Sequence, residues 1–308
     1  MQTQNYNTTQ KNIIQLLTSG NYQFDPVKNM NLHNYMENVK GINLIYGVDG
    51  YSGIIHDKYK NVLIDLEQPN FIPHRMKVEK YLAMSKKLDK ILTLCPFTAK
   101  YMNKITNRQN SEQCFFPVDI QTIIHNIGHP NNDKPINVLY IGHNVSHITA
   151  QLIALSEKIS MPTYMDKMAA LYKSKIAICT NVLYYHNSKY DYNQIITQIP
   201  ELRDDEKLEI PQLKSRIFEA GFSKCIPLVY FHKSKIVETY FTPDVDFIYF
   251  HTLDELKRLI NKIVNDYGSY KYISENIYKK CMENYKCSDF IEKYIKPMQN
   301  EFAAAATI

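Results

Sequence analysis

Pro211-Gln212-Leu213-Lys214-Ser215-Arg216-Ile217-Phe218-Glu219-Ala220-Gly221 lies between an acidic loop, residues 201–209, and the apolar run Ile226-Pro227-Leu228-Val229-Tyr230-Phe231. Pro at its start and Gly at its end fit one short helix, since Pro suits a first turn and Gly a C-terminal cap. At helical spacing Leu213, Ile217 and Ala220 form an apolar face. Gln212, Ser215, Arg216 and Glu219 form a polar one, at separations of three and four. The expectation is a helix that packs on a sheet by one side and shows a polar stripe on the other. A helix start offers free N–H groups and partial positive charge, which suit a phosphate. Arg216 adds a charge-assisted donor, and Glu219, one turn further in, an acceptor for sugar hydroxyls. The same residues also fit an amphipathic surface helix on which Arg216 and Glu219 pair with each other.

The rest of the chain supplies the sheet. Apolar runs at residues 11–17, 41–48, 61–66, 90–95 and 114–119 read as strands, with helices over 28–39, 75–88 and 98–105 between them. The segment Gly128-His129-Pro130-Asn131-Asn132-Asp133-Lys134-Pro135 reads as a linker. The alternation then restarts with strands at 136–141 and 174–179 and helices at 150–158 and 165–172, and closes with helices over 252–267 and 270–287. Strands alternating with helices imply an α/β fold with doubly wound parallel sheets, whose ligands sit beyond the strand C-terminal ends. Asp49, Glu67 and the loop Gly142-His143-Asn144 occupy such positions.

A chain of 308 residues suits two domains, each able to bury a core. Apolar content of 44% and charged content of 22% are those of a globular protein. No apolar run approaches the roughly 20 residues of a membrane span. The polar start, residues 1–10, reads as a disordered tail without the order of a signal peptide, so a cytoplasmic protein is expected. A net charge of +5 with scattered Lys and Arg permits peripheral contact with an anionic membrane, but not the basic face that nucleic-acid binding requires. Six cysteines without a C-x-x-C pair argue against disulfides and against a zinc site.

Arg216-Ile217-Phe218-Glu219-Ala220 resembles the R-x-F-E-A segment in the donor-site helix of GT-B glycosyltransferases, in particular the glycosyl transferase group 1 (family 4-like) and spore-protein-like families. There it is followed by a strand, a helix, a strand and a D-E-L helix start. The matching order here is 225–231, 236–241, 246–250 and Leu253-Asp254-Glu255-Leu256. The resemblance implies two Rossmann-like domains facing a cleft. Residues 11–127 would be the acceptor domain, 128–135 the linker, 136–288 the nucleotide-sugar donor domain, and 289–302 a helix crossing back to the first.

It further implies metal-independent transfer of a sugar from a nucleoside diphosphate sugar to a hydroxyl of a glycan, protein or lipid, with no cofactor beyond the donor. Glu219 would hold the ribose. Lys214, Ser215 and Arg216 with Gln212, and the Gly142-His143-Asn144 loop, would serve the diphosphate. Asn181 and Val182, in the region that lines the base pocket, complete the donor set. An inverting reaction would add a base, Glu67 first and Asp49 second. Many retaining members carry a second Glu eight residues before the ribose Glu; Pro211 stands at that position. Asp244-Val245-Asp246 matches the D-x-D of the other glycosyltransferase fold, but Asp246 opens a predicted strand and reads as structural. The alternatives are a non-catalytic nucleotide-sugar or partner-binding module, a GT-B epimerase acting on a UDP-sugar, and a phage-type DNA glucosyltransferase, the last requiring a basic duplex-binding face.

Overall fold

A computed structural model describes residues 13–16, 32–35, 39, 41–46, 55, 57–65, 85–130, 133–140, 147–157, 159, 163–184 and 209–299. They fall into two compact units. The first takes the described residues up to Phe115 and those from Cys287 onward; the second takes those between Phe116 and Lys286.

The first unit is a five-stranded parallel sheet in chain order: β1 (Ile13–Leu16), β2 (Ile42–Tyr46), β3 (Lys60–Asp65), β4 (Lys90–Thr93) and β5 (Ser111–Gln113). Leu44, Ile45, Val62, Leu63, Ile91 and Leu92 are all buried. That is why these strands read as unbroken apolar runs: a parallel strand is covered on both faces. Helix α1 (Pro96–Thr106) joins β4 to β5, with Pro96 in its first turn, where a missing N–H costs nothing. Its Asn103 side chain brackets Ser111, accepting from that residue's N–H and donating to its carbonyl, both at 2.8 Å, and so ties the edge strand to the helix.

The second unit begins with α2 (Ile120–Ile127), capped by Asp119, whose carboxylate accepts from the Thr122 N–H. There follow β6 (Ile136–Tyr140), α3 (His147–Leu155), α4 (Tyr164–Tyr172), β7 (Ser174–Cys179), β8 (Val182–Tyr184), β9 (Glu209–Pro211), α5 (Ser215–Phe222), β10 (Ile226–Tyr230), β11 (Ile248–Phe250), α6 (Leu253–Asn265) and α7 (Tyr267–Asn284). β6, β7, β10 and β11 form a parallel sheet in the order β11-β10-β7-β6, and β8 and β9 pair antiparallel beside it. The core packs Val138, Ile176, Ile178, Ile226 and Leu228 against Leu256 and Ile263 of α6 and Ile273 of α7. All six cysteines are buried thiols. After α7 come α8 (Cys287–Phe290) and a π-helical turn, Ile291–Ile295. Phe290 meets Phe115 edge-on at 5.6 Å and Tyr294 meets it at 5.5 Å, so residues 287–295 belong to the first unit's core.

Three expectations are corrected. The last strand of the first unit is Ser111–Gln113, not 114–119; residues 114–118 are buried, but there the only β-bridge among the described residues is Val118 with Lys286. Apolarity signalled burial there, not pairing. The helix expected from Pro211 starts at Ser215, because Pro211 lies opposite Val182 in the β8–β9 ladder. Gly221 lies inside α5 rather than capping it: a Cβ there would stand 2.5 Å from the Cys281 sulfur on α7, and the left-handed residue after the helix is Lys224. Most of the expected helix over 75–88 lies outside the described residues.

Candidate functional site in the second unit

All four strands of the second unit's main sheet end at the same edge, since all run parallel. α4 runs directly into β7 and α5 into β10, so both helices begin at that edge and descend side by side. It is the edge at which open α/β sheets bind ligands.

The site is assembled around the end of β7. The backbone leaves Cys179 and passes Thr180 and Asn181 into β8. The Gln212 N–H donates to the Asn181 carbonyl at 2.7 Å, and the Lys214 N–H donates to the Asn181 side-chain oxygen at 3.1 Å. These two bonds hold residues 211–214 extended and deliver α5 to the end of β7. Gln212 therefore precedes the helix instead of lying on its polar face. Lys214 is the N-cap residue, and its own side chain does not cap the helix start.

Lys214 bends back and its ammonium donates to the Val182 carbonyl at 2.8 Å. Burial, and then the neighbouring Arg216, push that ammonium well below its ordinary pKa. Arg216 donates to the Thr180 hydroxyl at 3.3 Å, and its guanidinium lies 5.7 Å from the ring centre of Tyr140, at the end of β6. Glu219 is wholly buried, against the expectation of a solvent-facing stripe. Its partner is Lys167 of α4, at 2.6 Å from Oε1, not Arg216. The Cys179 thiol is pushed up to about 12 by burial, with Arg216 pulling the other way; Glu219 and Lys214 also act on it. The end of β7 thus lies within electrostatic reach of all three charged groups.

Three buried polar atoms here have no hydrogen-bond partner among the described residues: Asn181 Nδ2, Gln212 Oε1 and Glu219 Oε2. Native structures satisfy nearly all such atoms, and leaving one unmet costs roughly 1–3 kcal/mol. One donor and two acceptors, beside two cations at a helix start, form a receptor for a ligand that carries hydroxyls and negative charge.

Of the sequence-derived candidates, Asn181, Val182, Gln212, Lys214, Ser215, Arg216 and Glu219 meet here. Asp49, Glu67, Gly142, His143 and Asn144 lie outside the described residues. Sequence reasoning missed Lys167, Thr180 and Tyr140. Lys167 is 52 residues from Glu219, and only the packing of α4 against α5 joins them. Asp246 of the D-x-D match is buried, accepts from the Thr242 N–H at 2.8 Å and pairs with Lys280 at 2.7 Å. It holds the turn that leads to β11. Among the described residues no cluster of His, Cys, Asp and Glu could hold a metal ion, and no helix is long and apolar enough to cross a membrane.

No protein-family model and no curated protein matches the chain. Solved structures do match. One is an alpha-glucosyltransferase in complex with UDP-glucose and DNA containing an abasic site: 12% identity, TM-score 0.54, covering 88% of this chain and 84% of that one. Another is sucrose-phosphate synthase from Thermosynechococcus elongatus: 9% identity, TM-score 0.52, 86% and 74%. A third is S. aureus TarM in a complex that includes UDP: 13% identity, TM-score 0.52, 86% and 57%. The chain thus spans little more than half the length of TarM. The fold is the two-domain α/β architecture of GT-B glycosyltransferases.

Proposed function

We propose that the chain is a glycosyltransferase that moves a sugar from a nucleoside diphosphate sugar to a hydroxyl, without a metal ion. The observation that carries this reading is the group of three unpartnered buried atoms beside Lys214 and Arg216 at the start of α5. Glu219 Oε2 accepts a ribose hydroxyl. Asn181 Nδ2 and Gln212 Oε1 supply a donor and an acceptor to the rest of the nucleotide. The helix start with Arg216 and Lys214 receives the diphosphate, together with Gly142, His143 and Asn144.

In the reaction the bond between the anomeric carbon and the diphosphate oxygen breaks, and its electron pair leaves with the diphosphate. A bond from the acceptor oxygen to that carbon forms, and the hydroxyl proton passes to a base. Negative charge grows on the leaving oxygen, where fixed cations in a dry site are most effective. Glu67, or Asp49 in its place, is the proposed base for an inverting course. If Glu67 has that role, Glu67→Gln abolishes transfer and spares donor binding. A cytoplasmic location and a glycan, protein or lipid acceptor complete the proposal.

A non-catalytic nucleotide-sugar-binding module is the second reading, favoured by Pro211. That residue is buried in the β8–β9 ladder and offers no carboxylate where many retaining members of the family it resembles have one. Turnover with any donor and acceptor excludes it. The deciding experiment is a thermal-shift screen with UDP, GDP, ADP, CMP and dTDP on wild type and Glu219→Ala. A ligand bound only by the folded state raises the midpoint by mass action. One nucleotide should stabilise the wild type and not the variant. Stabilisation of neither by any nucleotide overturns the nucleotide site.

A further inference from the structure

We infer that Lys167 is the positioning residue of this nucleotide site: it holds one oxygen of the Glu219 carboxylate and so presents the other to the ligand. The inference rests on the nucleotide-sugar reading above. Lys167 Nζ stands 2.6 Å from Oε1, with 19% of its own side chain exposed and 1% of Glu219's. The ammonium is held from a second side by the Tyr164 ring, 4.6 Å from its centre and one turn earlier on α4. The start of α4 is itself fixed by a capping box, in which Thr163 and Asp166 exchange side-chain-to-backbone hydrogen bonds. The cation is therefore an anchored group. With Oε1 pinned to it, rotation about the carboxylate bond is arrested and Oε2 has one place to be.

A second consequence concerns Arg216, three residues before Glu219 on the same helix and so a natural partner for it. Lys167 occupies Glu219, and Arg216 lies instead on Thr180 and the Tyr140 ring, towards the strand ends. Lys167 thereby keeps the ribose acceptor and the diphosphate cation apart. Without it the buried carboxylate lacks that counter-charge, and Arg216, three residues before it on α5, is placed by helix spacing to take over. The site would then lose its hydroxyl acceptor and its guanidinium in one step.

The test is calorimetric titration of the full chain with UDP, GDP and ADP and with the 2′,3′-dideoxy form of each, for wild type, Lys167→Met, Lys167→Arg and Glu219→Gln. Wild type should bind one ribonucleotide about 10-fold or more tightly than its dideoxy form, the discrimination typical of a hydrogen bond to a charged group. Lys167→Met should reduce that preference to under about 3-fold and weaken diphosphate binding as well, and Lys167→Arg should restore both. A folded Lys167→Met that keeps the full preference overturns the role of Lys167 and leaves the nucleotide site standing. Wild type that binds none of the six overturns both. If Lys167→Met does not fold, Lys167→Gln takes its place: it can still donate to Oε1 and should fall between wild type and Glu219→Gln. Full wild-type preference there overturns the inference too.

Discussion

Gly221→Ala tests the packing that places Glu219, two residues earlier on the same helix. Alanine has the higher helix propensity, which by itself favours the variant by about 1 kcal/mol. Packing opposes it. The new methyl carbon would stand 2.5 Å from Cys281 Sγ and 3.0 Å from Ile277 Cγ1, both on α7. Cys281 and Ile277 are fully buried, and the sulfur already lies 4.0 Å from the Phe218 carbonyl, so neither can turn aside into solvent. Overpacking of this kind costs roughly 1–3 kcal/mol, and two contacts in a closed site put it at the upper end. The net expectation is destabilisation by about 1–2 kcal/mol. Urea unfolding reads it as a lower midpoint at unchanged slope. Cys281→Ala removes the closer obstacle, so Gly221→Ala with Cys281→Ala should be at least about 1 kcal/mol more stable than the sum of the two single effects. A Gly221→Ala protein as stable as wild type, or strict additivity in the pair, would refute the steric argument.

Phe290→Ala should cost about 3–5 kcal/mol, since it empties the fully buried site against Phe115 and Tyr294; an unchanged unfolding midpoint would remove the segment around Phe290 from the first unit's core. Lys280→Met leaves the buried Asp246 carboxylate unpaired and should cost about 2 kcal/mol, below the full buried-pair penalty because Lys280 is itself part-exposed; Asp246→Asn in the same background should recover part of it. Lys134 donates to the carbonyls of Tyr172 and Ser223 at 2.6 and 2.7 Å, and burial lowers its pKa below the usual 10.5. The unfolded chain therefore holds the proton more tightly, and Lys134's contribution grows as pH rises through the folded value towards 10.5. Lys134→Met, which strands two carbonyls, should be destabilised, and its deficit against wild type should widen from neutral to alkaline pH in urea unfolding; a deficit that narrows would mean that burial is not the dominant influence on this lysine.

Much of the fold was legible because its strongest signals are local. Ile42–Tyr46, Lys60–Asp65, Ile136–Tyr140, Ser174–Cys179 and Ile226–Tyr230 stand out as apolar runs, as strands covered on both faces must. Ser111–Gln113 did not, because an edge strand needs little apolar character to pair by its backbone. Pro211 argued for a helix start by composition. It is equally suited to β9, a strand whose only partner among the described residues is β8 and which can spare an N–H.

From sequence alone came the alternation of strands and helices, the likeness of Arg216-Ile217-Phe218-Glu219-Ala220 to a donor-site helix, and the choice of Arg216, Glu219, Lys214 and Asn181 as a group. The alternation follows from residue type and spacing; the likeness, and with it the grouping of Asn181 with the helix, is what the family resemblance implies. Tertiary structure alone decided the partners. Glu219 takes Lys167 rather than Arg216, and its second oxygen has no partner among the described residues, because α4 and α5 start at the same sheet edge and pack side by side. Gly221 serves a close helix approach rather than a turn, because α7 crosses there. Side-chain spacing along one helix carries no information about a cation 52 residues away; the order of the strands brings it in.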